Sequence, residues 1–479
     1  MKKSEAPVGV IILAAGLGKR MHSPLPKVLH EIGGQPLLCH LLDRVNEVLP
    51  KSSIAIVVGH QRETVEASIR SRPEYAALDL TFVHQPEQKG TGHAARCAMD
   101  SSWGEQILRK KGAVLILPGD LPLVPGSLIQ QIAAPLRRAE VLRLLTSELP
   151  DPTGYGRVVR RGKKGGVLRI VEEKDATPRE KTISEVAASI YLFQAAFLRF
   201  ALQRLSNQNA QGEYYLTDLI AQASRTRKKH DILVWTHPED LRGVNDPWEL
   251  AIAGRILNER IVREWARRGA KFVDPLTTWI DVGVTLGAEA VISPGVILSG
   301  KTRIGARATL GPNVVLKDVT VGEGANVKTG TTAESSEIGE RAQIGPYAHL
   351  RPESAVGIAA KIGNFVELKK TSIGDNSSVA HLSYLGDAQV GRNVNIGCGF
   401  VTCNFDGRII DGQRKHRTVI EDDVFLGSDC QAVAPVRIGR GAYVASGSTI
   451  TEDVEAESLA IARTRQVNKP GYARKLKEK

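Results

Sequence analysis

Apolar and polar positions change their period once along the chain. Val8–Ala14 is a continuous apolar run, the pattern of a strand buried on both faces. "IAIVVG" (54–59), "TFVHQ" (81–85) and "AVLILPGD" (113–120) repeat that pattern, and the stretch around Leu37–Leu49 has helical spacing. Strands alternating with helices predict an α/β unit, a parallel sheet with helices on both faces. Ligands on such sheets bind beyond the carboxyl ends of the strands, so the residues just after each strand are the candidates for chemistry. Residues 247–269 predict one connecting helix, with Leu257, Ile261 and Trp265 four apart on one face.

Beyond about residue 276 the apolar positions recur every six residues: Ile304, Leu310, Leu316; Ile338, Ile344, Leu350; Ile438, Val444, Ile450. Glycine often follows, as in "IGARAT", "LGPNVV" and "IGERAQ". This is the hexapeptide repeat of a parallel β-helix, in which each aliphatic side chain points inward and stacks on its counterpart in the next coil. The predicted organisation is therefore an α/β domain over 1–246, a linker helix over 247–275 and a β-helix over 276–479, the last ending in a basic tail.

Composition narrows the function classes. The chain has 479 residues, 42% of them hydrophobic, enough for packed cores. Its formal charge is +12, but only 5% of residues are aromatic and no long basic run interleaves with aromatics. Small anionic substrates fit this better than nucleic acid, whose bases need stacking platforms. The five cysteines are scattered and form no CxxC pair, which suits a reducing cytoplasm better than a disulfide framework or a zinc site. No apolar stretch reaches the roughly 18 residues of a membrane span. The opening "MKKSEAPVGVIILAAG" imitates a secretory signal, but Glu5 and Pro7 interrupt it, and it reads as a first buried strand.

The segment "LAAGLGKRMHSPLPKVL" (13–29) follows that strand. Gly16 and Gly18 let the backbone approach a phosphate, and Lys19, Arg20 and Lys27 supply positive charge. It is neither a dinucleotide fingerprint, because Met21 stands where the third glycine belongs, nor a P-loop, because Gly18-Lys19 lacks the following Ser or Thr. It resembles the signature of the sugar-phosphate nucleotidyltransferases. "QPEQKGTGHA" (85–94), "LPGDLPL" (117–123), "GYGRVV", "IVEEKDA" and "GVND" resemble further motifs of that family, in order. With the repeat behind them, nearly the whole chain resembles the bifunctional bacterial enzymes of UDP-N-acetylglucosamine synthesis, whose β-helix is left-handed.

The resemblance implies that a sugar-1-phosphate attacks UTP in the first domain, with Arg20 and Lys27 as catalytic cations. It implies nucleotide contacts from Leu13, Ala14, Gly16, Lys27, Gln85, Gly90 and Thr91, and sugar-phosphate contacts from Gly156, Glu172, Ala187 and Asn245. Asp120 and Asn245 would hold Mg²⁺. In "EVAASIY" (185–191), Ala187 stands where the family has an asparagine, which predicts an altered or weakened sugar preference.

The β-helix carries a second polar set. "VAHLSYLGD" (379–387) inserts a titratable imidazole and a phenol into a repeat of small residues. By resemblance His381 is the general base of acetyl transfer from acetyl-CoA to glucosamine-1-phosphate, a role an imidazole suits near neutral pH. Arg351, Lys369, Tyr384, Asn395 and Lys415 would hold the aminosugar phosphate, with Glu367 helping to orient the site. Cys398, Asn404, Phe405, Ser428, Ser446 and Arg463 would line the acetyl-CoA site. The loop 406–418 is longer than in many relatives, so the register of Lys415 is set by that loop. The product, N-acetylglucosamine-1-phosphate, would pass to the first site. Relatives form homotrimers. Two alternatives are a nucleotidyltransferase with a regulatory, non-catalytic β-helix, against which the second polar set speaks, and a non-catalytic scaffold, which would have eroded Lys27, Asp120 and Asn245.

Overall fold

The computed structural model describes residues 7–477 apart from 138, 163–164, 226–228, 410–411 and 413. The chain divides into two compact units, residues 1–257 and 258–479, and the division falls inside a single helix, Pro247–Arg267.

The first unit is built on one sheet. Its strands are β1 (Val8–Ala14), β2 (Ile54–Val58), β3 (Leu80–His84), β4 (Ala113–Pro118), β5 (Glu140–Glu148), β6 (Arg157–Arg160), β7 (Val167–Val171), β8 (Glu185–Gln194) and β9 (Lys229–Trp235). The main path runs β9-β5-β8-β4-β1-β2-β3, with β6 and β7 forming an antiparallel pair beside β8. Strands β4-β1-β2-β3 are parallel, as the apolar runs predict. The sheet as a whole is mixed, however, because β8 runs antiparallel to both β4 and β5. Periodicity reports burial and not strand direction, so it could not show this reversal. Alternate residues of β1 feed separate cores: Ile11 packs with helix α2 (Thr91–Met99), and Val10 and Ile12 pack with helix α1 (Leu37–Val48). Helices thus cover both faces.

In the second unit the six-residue step becomes a rotation. Ile304, Leu310 and Leu316 are all buried, yet each belongs to a different sheet. Three parallel sheets of 11, 10 and 9 strands result, a left-handed parallel β-helix of hexapeptide repeats. Its core is a continuous aliphatic column from Ile280 to Ile450. Each such side chain contributes on the order of 1.5–3 kcal/mol on burial. At the start of this unit Asn258 donates its side-chain amide to Thr278 O (2.7 Å) and accepts from Ile280 N (2.9 Å), and Val262, Ile261 and Trp265 pack on the first coils. No described helix is long and apolar enough to cross a membrane.

Candidate active sites

The first unit holds a cleft of about 900 Å³ beyond the carboxyl ends of β1 and β4. It is lined by Leu13, Ala14, Gly16, Arg20, Lys27, Gln85, Gly90, Thr91, Asp120, Gly156, Glu172, Ala187 and Asn245, so the first-domain site residues implied by resemblance meet in one place, whereas Lys19 is not among the lining residues. Local structure explains how. Gly18 adopts a left-handed φ of 60°, and a Cβ there would stand 2.9 Å from Lys27 Cβ. The turn can therefore fold back on the "SPLPK" segment only without a side chain at 18. Gly16 differs, because a Cβ there would meet nothing within 4 Å, which leaves open space over the turn. Gln88 pins the turn from outside by donating to Ala15 O at 2.6 Å.

At the centre, Lys27 Nζ donates to Asp120 Oδ2 (2.5 Å) and to Asn245 Oδ1 (3.2 Å). Asp120 is placed by the turn after β4, where Val244 N donates to its carbonyl at 3.0 Å, and Glu249 Oε2 accepts from Asn245 N at 2.7 Å. A cation thus already sits between a carboxylate and an amide oxygen, and both are hard donors of the kind Mg²⁺ takes while phosphates and waters complete its shell. No cluster of three or more His, Cys, Asp or Glu side chains suited to a metal occurs among the described residues. On the opposite wall Glu172 accepts from the Thr217 hydroxyl at 2.8 Å. Burial, above all, raises its carboxyl pKa; Thr217 opposes this, and Asp218, Asp175 and Glu213 add to it. The sequence reading missed Gln88, Tyr155, Tyr191, Tyr215, Thr217 and Glu249, which also line the cleft. The run "GEYYLTD" (212–218), polar and aromatic where a helix begins, was the available signal for two of them.

In the second unit the coils stack equivalent positions. Backbone bonds climb one corner: Leu382 N to Asn364 O (3.0 Å), Gly399 N to His381 O (3.4 Å), Asp429 N to Cys398 O (2.6 Å) and Gly447 N to Ser428 O (2.9 Å). Asn364, His381, Cys398 and Ser428 therefore lie in successive coils, with Ser446 and Arg463 following beside Gly427 and Gly447. Four steps of about 4.8 Å from His381 to Arg463 make a ladder roughly 19 Å long. His381 is exposed, and its Nδ1 lies 2.7 Å from Asn364 Oδ1, a neighbour the sequence reading missed although it sits 17 residues upstream at the same corner. With the amide oxygen accepting, Nδ1 carries the hydrogen and Nε2 keeps its lone pair.

Around that corner, Glu367 pairs with Tyr384, and Lys369 with Gly386, on one sheet. Arg351 Nη1 donates to Glu367 Oε1 at 2.9 Å. Lys415 first, and Arg351 second, hold the Lys369 ammonium below its usual range and Asp387 opposes them, so the three cations share one surface and outnumber the two carboxylates beside them, Glu367 and Asp387. A Cβ at Gly386 would collide with the Tyr384 hydroxyl and the Asn404 amide, so these groups require glycine there. Asn404 donates to Asp387 Oδ2 (2.5 Å) and accepts at its carbonyl from His416 N (2.9 Å), closing the base of the long loop. Lys415 and Phe405 face each other on that loop, the ammonium 6.0 Å from the ring centre. Asn395 is on a different sheet from Tyr384. It pairs with Ser378 and Phe425 on the sheet whose neighbouring strand ends at His381, three residues back along that strand from His381's level, about 10 Å away.

Residues 10–164 match the MobA-like NTP transferase domain family, and residues 417–452 match the bacterial transferase hexapeptide family. The protein called "Bifunctional protein GlmU" of Trichlorobacter lovleyi is 44% identical over 98% of this chain and 98% of its own. The proteins of that name from Geotalea uraniireducens (44%, covering 98% and 99%) and Sorangium cellulosum (44%, covering 100% and 98%) are as similar. A solved structure of a putative glucose-1-phosphate thymidylyltransferase from Bacillus anthracis aligns at TM-score 0.40 and 18% identity, over 52% of this chain and 94% of that one. With a nucleotidyltransferase cleft in one unit, a hexapeptide β-helix in the other and full-length relatives of this kind, the chain belongs to the GlmU family, the bifunctional enzymes of UDP-N-acetylglucosamine synthesis that are nucleotidyltransferase and acetyltransferase at once.

Proposed function

We propose that the β-helix site acetylates glucosamine-1-phosphate with acetyl-CoA and that the cleft then joins the product to UTP. One observation carries the reading: each unit has its own cation-lined site, and the two sites differ in kind. In the β-helix, Arg351, Lys369 and Lys415 bind the sugar phosphate. His381 Nε2 takes the proton as the 2-amino nitrogen attacks the thioester carbonyl; the C–N bond forms, the C–S bond breaks, and the thiol of CoA leaves. Tyr384 flanks the sugar. The ladder through Cys398, Ser428, Ser446 and Arg463, with Asn404 and Phe405 beside it, takes the elongated thioester donor. Asn395 lies on a different sheet from Tyr384, and this supports a homotrimer in which a neighbouring copy brings Asn395 to the site.

In the cleft, an oxygen of N-acetylglucosamine-1-phosphate attacks the α-phosphorus of UTP; a P–O bond forms, and the bond to pyrophosphate breaks. Arg20 and Lys27 neutralise charge that develops on the triphosphate. Leu13, Ala14, Gly16, Gln85, Gly90 and Thr91 receive the nucleotide, and Gly156, Glu172, Ala187 and Asn245 the sugar. Asp120 and Asn245 would hold Mg²⁺, which when bound supplies charge neutralisation at the phosphates. The free cysteines, all five unpaired, support a reducing cytoplasmic location. The test is a paired assay on purified protein: CoA release with glucosamine-1-phosphate, and pyrophosphate release with UTP and N-acetylglucosamine-1-phosphate. Both signals are expected, and the absence of either refutes the corresponding half.

A further inference from the structure

Strand β8 does not keep step with β5. Ala187 pairs with Thr146 and Tyr191 with Leu144, so four residues of advance on β8 answer two on β5. Residues two apart on a strand share a face. Leu144 and Thr146 therefore carry Tyr191 and Ala187 onto one face, and Ala187, Tyr191 and Leu144 indeed share a core cluster. Ala188 and Ile190, inside the slip, belong to the opposite cluster, and Ser189, with a φ of 57°, is exposed at the cleft.

Two hydroxyls on this face are buried without a hydrogen bond of acceptable geometry: Thr146 Oγ1 and Tyr191 Oη, on residues 0% and 1% exposed. Ala187 is directly across from the first and next on the face to the second, and it has no polar atom to offer either. Tyr191 and Ala187 both line the cleft, with Glu172 and Ser189. Those two side chains are the polar groups that bear on the phenol: burial and then the charge of Glu172 push its titration up, and a side-chain hydrogen bond with Ser189, its geometry short of ideal, acts the other way. A buried hydroxyl with no well-aligned partner weakens a fold. This one lies at the wall of a site that receives a polyhydroxylated ligand.

We propose that Tyr191 is a specificity-determining residue of the sugar subsite, its hydroxyl exchanging a hydrogen bond with a hydroxyl or acetamido group of the hexose that Ala187 cannot reach with a polar atom. The inference rests on the nucleotidyl transfer proposed above. Tyr191→Phe removes the oxygen alone. In the full-length protein, the KM for N-acetylglucosamine-1-phosphate is expected to rise about five- to tenfold, the value of one hydrogen bond whose partner is left dry. The KM for UTP and kcat should stay within about twofold. The melting temperature of the unliganded variant should equal or exceed that of the parent, because no orphaned hydroxyl remains. A sugar KM within twofold of the parent overturns the inference, and so does a parallel rise of both KM values with a lower melting temperature, which marks general damage. If the parent releases no pyrophosphate with any aminosugar phosphate, the proposed function falls and takes this inference with it. An active parent with an unaffected Tyr191→Phe variant sinks the inference alone.

Discussion

The two units solve the same problem, gathering charged side chains around a phosphate, with opposite kinds of backbone. In the α/β unit the cleft collects the ends of strands far apart in sequence, from Leu13 to Asn245, and each contributor has its own turn geometry. Its central cation is matched: Lys27 is held between Asp120 and Asn245. In the β-helix the contributors are positions repeated coil after coil, and its cations are only partly matched: Glu367 accepts from Arg351, while Lys415 and Arg351 both disfavour the charge on Lys369. On the proposed function, a closed pair such as Lys27–Asp120 must exchange partners when a triphosphate and Mg²⁺ arrive. An open cluster simply waits for an anion. If these residues bind as proposed, the first arrangement makes binding of metal and nucleotide interdependent, and the second makes phosphate binding sensitive to pH and salt.

The largest expected effect separates the units outright. His381→Ala should lower acetyl transfer by about 10²–10⁴-fold, the usual share of a general base, and leave uridylyl transfer unchanged. CoA release and pyrophosphate release measured on one preparation give the answer. Equal loss of both would mean that His381 supports the fold and that the sites are not independent. The mirror experiment is Asp120→Asn, which keeps the shape but removes the charge that faces Lys27. Uridylyl transfer should fall by roughly 10²–10³-fold, as when one charge-stabilising group is lost from a site, with acetyl transfer intact. Raised Mg²⁺ should recover part of it.

How much could be read from sequence follows the same division. In the β-helix, spacing is structure: once six residues equal one face, Ile304, Leu310 and Leu316 fall on three sheets, and residues about 18 apart share a corner, although the coil from Asn364 to His381 is one residue short of that. The repeat alone therefore brings the Asn364 contact only to within one residue, because a strict six-residue count puts Gly363 opposite His381. The place of Asn395 around the edge follows from the same count. In the α/β unit no such rule exists. The parallel strands announced themselves by continuous apolar runs, but the reversal of β8 and its slip at Ala187–Tyr191 did not, because both depend on pairing with β5, which alternation does not encode. The residues of the cleft named from sequence came from motif resemblance. Of those missed, Tyr191 sits in an apolar run that reads as ordinary core, whereas Tyr215 and Thr217 sit in a polar, aromatic run whose signal went unread.

A smaller effect tests whether the repeat positions His381 as well as presenting it. Asn364→Ala should lower acetyl transfer about tenfold, the worth of one hydrogen bond that fixes a tautomer. Asn364→Asp should restore much of the rate and move the acid limb of its pH profile upward, since a carboxylate beside Nδ1 favours the imidazolium and raises the pKa of the base. Loss of activity in both variants without a change in the limb would assign Asn364 to folding of the corner instead.

The smallest effect probes the unmatched charge. Lys369 is held below its usual range by Lys415 first and Arg351 second, so its protonated, phosphate-binding form is lost at a lower pH than for an isolated lysine. The KM for glucosamine-1-phosphate should therefore climb as pH rises through that lowered value. Lys415→Met removes the larger perturbation. It should raise KM severalfold near neutrality, because one phosphate contact is gone, and at the same time shift the alkaline climb to higher pH, because Lys369 now keeps its proton longer. The two changes have opposite consequences at alkaline pH, so the variant and parent curves should converge there. Since Lys369 is only half-buried, added salt should shrink the shift by screening the repulsion between the ammonium groups. Parallel curves that never approach each other, at low salt, would mean that Lys415 and Lys369 act on the phosphate without feeling one another, and the contrast between a matched and a partly matched site would lose its second half.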